Sequence, residues 1–220
     1  QASKRWHAQR LHLVLSAMAH FGAELEAEGF EVDHRRAETL AQGLRDHRNQ
    51  FDPDRVVAMG PMSWDGRALL EHQRVDIVPN NQFLCSYDEF AAWADERRTF
   101  KLEDFYRWQR RRLDVLMDGD DPAGGRWNFD HENRQRPPRD GRAWPTVTRF
   151  DLDEIDRGVI DRLPATWGDL PSGTWPVTRD QALIRLREFI TDGLGPFGPY
   201  EDAMLGAEWK LAHSTLSSSL

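Results

Sequence analysis

The chain has 220 residues, 29 basic against 37 acidic, and a formal net charge of −8. That acidic balance excludes a protein that grips nucleic acid by bulk positive charge, so any such contact must come from a local patch. The single Cys85 excludes an internal disulfide framework or a four-cysteine metal site, and no apolar run reaches the roughly 18 residues of a membrane span.

Mean hydropathy is −0.71, yet nine Trp and eleven Phe supply core-forming area, so the chain is a polar but folded one of one or two domains. No signal peptide opens it, which makes the cytoplasm the default location. Residues 5–28 are predicted as a long helix, with Leu11, Val14, Met18, Phe21 and Leu25 forming one apolar stripe that ends at Gly29. "FEVDHRR" (30–36) reads as a short strand, 38–48 as a helix, "RVVAMG" (55–60) as a strand, 64–73 as a helix and "VDIVP" (75–79) as a strand. This alternation predicts an α/β fold with a Rossmann-like parallel sheet. Because the rhythm starts on a helix, the chain is read as a fragment that begins inside the fold, with the opening strand or strands missing.

Beyond Cys85, itself expected as a small buried apolar residue, the pattern turns helical. "SYDEFAAWADE" (86–96) and "KLEDFYRWQRRRLDVLM" (101–117) are predicted helices. In the second, Leu102, Phe105, Tyr106, Leu113, Leu116 and Met117 form the stripe, and Arg107, Arg110 and Arg111 fall off it. Residues 118–149 carry Pro122, Pro137, Pro138 and Pro145 with no period and read as a long connector. Helices are expected again at 151–162, 180–192 and 200–207, with a last one starting near 212.

Few residues carry recognisable chemistry. The histidines show no metal-ligand spacing: His7 and His12 are five apart, and Asp130, His131 and Glu132 diverge as neighbours. "DGDDPAGG" (118–125) lacks the ligand order of a calcium loop and reads as a turn. There is no P-loop string, no GxSxG and no HExxH. Two basic clusters, Arg107-Arg110-Arg111-Arg112 and Arg134-Arg136-Arg139-Arg142, are either solvated faces or phosphate contacts. "HSTLSSSL" (213–220) opens a helix with hydroxyls, which suits a cap or an anion.

The blocks "HLVLSAMAHFGAELEAEGFEV", "FKLEDFYRWQRRRLDVLM", "GGRWNFDHENRQRPP", "FGPYEDAM" and "LAHSTLS", in this order, resemble the bacterial (6-4) photolyases and iron–sulfur bacterial cryptochromes, the deoxyribodipyrimidine photolyase-related branch. The resemblance covers essentially the whole chain. It implies an antenna domain over 1–98, a bridging helix at 99–117, an interdomain connector at 118–150 and the start of an all-α FAD-binding domain at 151–220. It further implies FAD, a 6,7-dimethyl-8-ribityllumazine antenna and a [4Fe–4S] cluster in the full-length protein, whose partner is DNA carrying UV lesions. Neither a membrane nor an obligate protein partner is implied.

In that family a hydroxyl-rich "TSxLS" element with an upstream Tyr holds the flavin. The matching positions here are Tyr200, His213, Ser214, Leu216 and Ser217. Departures are Ala19 in place of an Arg and "LSSSL" where an aromatic is usual. No catalytic residue and no metal ligand is assigned within these 220 residues, and the lesion-binding residues, the cluster cysteines and most of the lumazine site are expected outside them. The chain is therefore expected to be inactive alone. The functional expectation is a DNA photolyase, the alternatives being a signalling cryptochrome and an α/β binding module without flavin.

Overall fold

The computed structural model describes residues 5–219; positions 1–4 and 220, at the ends of the expected first and last segments, lie outside them. The fold is mixed α/β, with several helices and a small parallel sheet. It divides into two compact units. One joins the described residues up to Val32 to those from Phe129 onward, and the other is Asp33–Asn128.

The Asp33–Asn128 unit follows the local sequence signals closely. Thr39 caps α2 (Leu40–Phe51) by accepting from the Gln42 amide, and Asp52 in the left-handed region stops it. Strand β1 (Val57–Met59) then leads through α3 (Trp64–His72) to β2 (Asp76–Val78), which pairs in parallel with register Val57–Asp76, Ala58–Ile77 and Met59–Val78. A parallel pair needs such a crossover. Helix α4 (Tyr87–Asp95) begins with a capping box in which Ser86 and Glu89 satisfy each other's amides. Helix α5 (Leu102–Leu113) ends at left-handed Asp114. A short antiparallel pair, β3 (Met117–Asp118) with β4 (Asp121–Pro122), turns "DGDD" back on itself.

Three expectations about this half of the chain need correction. Residues 30–36 form no strand, so the parallel sheet of the described residues has two strands and a full Rossmann-like sheet is not seen. A strand without a neighbour leaves its amides unpaired. Here Asp33 turns instead to Arg35 and to His47 of α2. Cys85 is half-buried rather than buried, with Sγ near the Ser86 carbonyl; burial and Glu89 push its thiol pKa up. In α5 the buried residue is Arg110, whereas Leu102 and, beyond the helix end, Leu116 are exposed. The core of this unit is aromatic: buried Trp93 meets Phe90, Phe100, Phe105 and Trp108 at ring distances of 5.1–6.2 Å.

The other unit is built on α1 (Ala8–Ala27) against α6 (Glu154–Ile160). The expected apolar stripe of α1 is not its buried face. Val14, Met18 and Phe21 are exposed, and Leu11, His12, Ser16 and Gly22 are buried. Helix α7 (Arg179–Glu188), capped by Thr178, runs through a π turn (Phe189–Gly193) into α8 (Leu194–Tyr200). A Cβ on Gly193 would stand 2.7 Å from Phe189 Cδ2, so a larger residue there would have to displace that ring. The helices expected at 200–207 and near 212 are replaced by turns and a 3₁₀ segment at Leu216–Ser219. Left-handed Leu211 and Thr215 interrupt regular winding there.

Candidate functional site

The turn that closes the described chain gathers four of the five expected flavin residues. The Lys210 carbonyl accepts from the His213 amide, and the Ser214 hydroxyl accepts from the Leu216 amide at 3.3 Å. Left-handed Thr215 lets the next residues wind as a 3₁₀ turn, which leaves Ser217 exposed and buries Ser219 Oγ without a hydrogen-bond partner. The His213 ring rests against Phe197 of α8 at 6.1 Å, and Phe197 meets Phe189 at 5.7 Å. Tyr200, at the end of the same helix, stacks edge-on with Trp144 at 5.5 Å and lies under the Arg142 guanidinium at 5.8 Å. Arg142 also holds Asp140 at a pKa of about 2 through side-chain and backbone hydrogen bonds. The structure thus groups His213, Ser214, Leu216 and Ser217, and ties Tyr200 to the connector.

Arg185, a residue the sequence did not single out, fixes that turn. It is 1% exposed. It donates to the carbonyls of Thr148 (2.9 Å) and Thr174 (3.0 Å), to Thr215 Oγ1 (3.3 Å), and pairs with Glu188 at 3.2 Å. Glu188 returns to the connector by accepting from the Thr148 amide at 3.1 Å. Desolvation lowers the Arg185 pKa more than Glu188 raises it; the guanidinium stays charged, since its ordinary value lies so far above neutrality. Gly173 is required where the connector passes: it is left-handed, and a Cβ there would collide with the Phe150 carbonyl that lies beside it.

The basic cluster of α5 is mostly engaged internally. Arg110 donates to the Val115 and Leu116 carbonyls and to the Tyr106 hydroxyl. Arg107 pairs with Glu103 at 2.7 Å, and Arg112 with Glu89 and the Leu84 carbonyl. Trp127 of "GGRWNFDHENR" lies against three of these arginines, with Arg107, Arg110 and Arg111 at 5.3, 5.2 and 4.6 Å from its ring. That string therefore anchors to α5 through cation–π contact, while Phe129 is 44% exposed.

A fourth grouping lies between α1 and α6. His12 and His20 face Asp156, with His12 Nε2 at 3.0 Å and His20 Nε2 at 3.8 Å from Asp156 Oδ1; His20 is 3.7 Å from Asp153 Oδ2. The sequence did not single out this group: Asp153 and Asp156 lie more than 130 positions from His20, and only the fold brings them together.

With two units, a parallel strand pair and a hydroxyl-rich closing turn in view, the chain's relatives are informative. Residues 1–175 match the family described as deoxyribodipyrimidine photo-lyase-related protein, and the chain belongs to that family. A (6-4) photolyase of Agrobacterium fabrum is 37% identical over 227 residues, which covers 96% of this chain and 45% of that protein. An uncharacterised protein of Acanthamoeba polyphaga mimivirus is 44% identical over 70 residues, 32% of this chain and 35% of its own length. The chain spans about half the length of the photolyase it matches. Among the described residues no helix is long and apolar enough to cross a membrane.

Proposed function

We propose that this chain serves a light-driven, flavin-dependent repair of (6-4) pyrimidine lesions in DNA. The observation that carries this reading is the 37% identity to a (6-4) photolyase across 96% of the chain. The reading of the closing turn as a place for the phosphate and ribityl part of a flavin dinucleotide is supported by the exposure of Ser217 and by Ser219 Oγ, buried without a partner. Ser214 and Ser217 would donate to pyrophosphate oxygens. His213 and Leu216 would wall the site, and Tyr200 would border it on the connector side. When bound, reduced FAD supplies the photoexcited electron that splits the lesion and takes it back afterwards. Arg185 holds the turn in place from beneath through Thr215.

The ribityllumazine and the [4Fe–4S] cluster belong to the same reading as properties of the full-length protein. Cys85 alone cannot ligate a cluster, so the residues of this chain do not fit one. The test is blue-light restoration of a (6-4) oligonucleotide by the full-length protein. Restoration supports repair. A flavin-loaded protein that photoreduces but restores nothing supports a signalling cryptochrome, and a protein that binds no FAD supports a flavin-free binding module. The Ser214→Ala/Ser217→Ala variant is expected to bind FAD at least about tenfold more weakly, the effect of losing one hydrogen bond to a charged group; equal flavin retention would remove these two residues from the site.

A further inference from the structure

Asp153 and Asp156 close the N-terminus of α6 as a capping box. Asp153 Oδ1 accepts from the Asp156 amide at 2.9 Å, and Asp156 Oδ2 accepts from the Asp153 amide at 3.3 Å. Each carboxylate is thereby oriented by one oxygen and left with the other free. The free oxygens, Asp153 Oδ2 and Asp156 Oδ1, are the ones that face the histidines of α1. This is how metal-binding carboxylates are commonly held: one oxygen on the backbone, one toward the ion.

The histidines come from one face of α1. Positions 12, 16 and 20 are successive turns, and all three are turned inward. His12 is 3% exposed, Ser16 0% and Asp156 1%. Despite this burial, His20 Nε2 and Ser16 Oγ have no aligned hydrogen-bond partner, and His12 Nε2 and Asp156 Oδ1 have only each other, 3.0 Å apart. An inward-facing His20 Nε2 without a partner calls for a ligand, since such a group costs about 1–3 kcal/mol if left alone. His20 Nε2 and the free oxygens of Asp153 and Asp156 all lie within 4.8 Å of one another. An ion about 2.0–2.2 Å from each ligand would require only a small closure of that spacing. Asp153, whose side chain is 54% exposed, is free to make it.

We propose that His20, Asp153 and Asp156 form a binding site for a divalent transition-metal ion, zinc above all, that clamps α1 to α6. An imidazole with two carboxylates favours Zn²⁺ or Co²⁺ over Mg²⁺ and Ca²⁺, which take oxygen-only shells. A dication also offsets the charge of two neighbouring carboxylates, that of Asp156 being buried. His12 Nε2, 3.0 Å from Asp156 Oδ1, braces that carboxylate.

The test is calorimetric titration of the full-length protein, passed over a chelating resin, with Zn²⁺ alone and then with Mg²⁺. The expectation is one equivalent of Zn²⁺ with a raised thermal midpoint, weakened at least tenfold in both His20→Gln and Asp153→Asn. Asn is itself a good N-cap, so the second variant keeps α6 intact. His47→Gln, which removes the exposed His47–Asp33 pair, is expected to bind as the parent does. Absence of stoichiometric Zn²⁺ binding, binding unchanged in the two ligand variants, or preference for Mg²⁺ would each overturn the site.

Discussion

The two units bury different kinds of side chain. In Asp33–Asn128 the interior is an aromatic corner centred on Trp93. In the other unit the most deeply buried large side chains are Arg185 and Asp156, with His12, Ser16 and Lys210 also inside. Apolar packing tolerates small shifts and is satisfied by contact alone. Buried polar groups need named partners at fixed distances, which makes the second unit specific and vulnerable.

The sharpest way to break that contrast is Arg185→Met. It strands Glu188 and the Thr148 and Thr174 carbonyls, so a loss of about 4 kcal/mol is expected. Denaturant titration checks it, and a loss comparable to an exposed substitution would refute the hub. Trp93→Ala is expected to cost the aromatic unit about 3 kcal/mol, with limited proteolysis opening residues 86–113 before the helices of the other unit.

A pH series sharpens the comparison further. Burial lowers the His12 pKa from its ordinary 6.5 more than Asp156 raises it. The unfolded chain then binds the proton more readily than the folded one, so the unit containing α1 loses stability as pH falls from about 6.5. His12→Gln should flatten that stretch of the curve, measured without added metal. The smallest effect is expected of Trp127→Ala, about 1 kcal/mol for its cation–π contacts, read as faster cleavage between residues 118 and 128.

The same contrast governs what could be read from the sequence. The run α2–β1–α3–β2–α4 was legible because helical spacing and short apolar strands act locally, and the structure adds the caps Thr39, Ser63 and Ser86. The face of α1 was not. Its apolar stripe pointed to Val14, Met18 and Phe21, and the fold instead buries Ser16 and His12, the latter 3.0 Å from Asp156, 144 positions further on. Arg110 was misplaced for a related reason: its burial depends on carbonyls presented by the chain reversal after Asp114. The hydroxyl-rich turn was legible as a string, but its support by Arg185 was not, since that rests on residues up to 37 positions away.

The π turn at Phe189–Gly193 sets the phase of everything after it. A π turn acts as a one-residue insertion into an α-helix, and each residue turns the helix by about 100°. Deleting one residue between 189 and 193 would restore an uninterrupted helix and swing Phe197 and Tyr200 by roughly that angle. Phe197 would leave His213, and Tyr200 would leave Trp144. The segment therefore works as a phase-setter, and it makes this stretch far less tolerant of a single deletion than of most single substitutions.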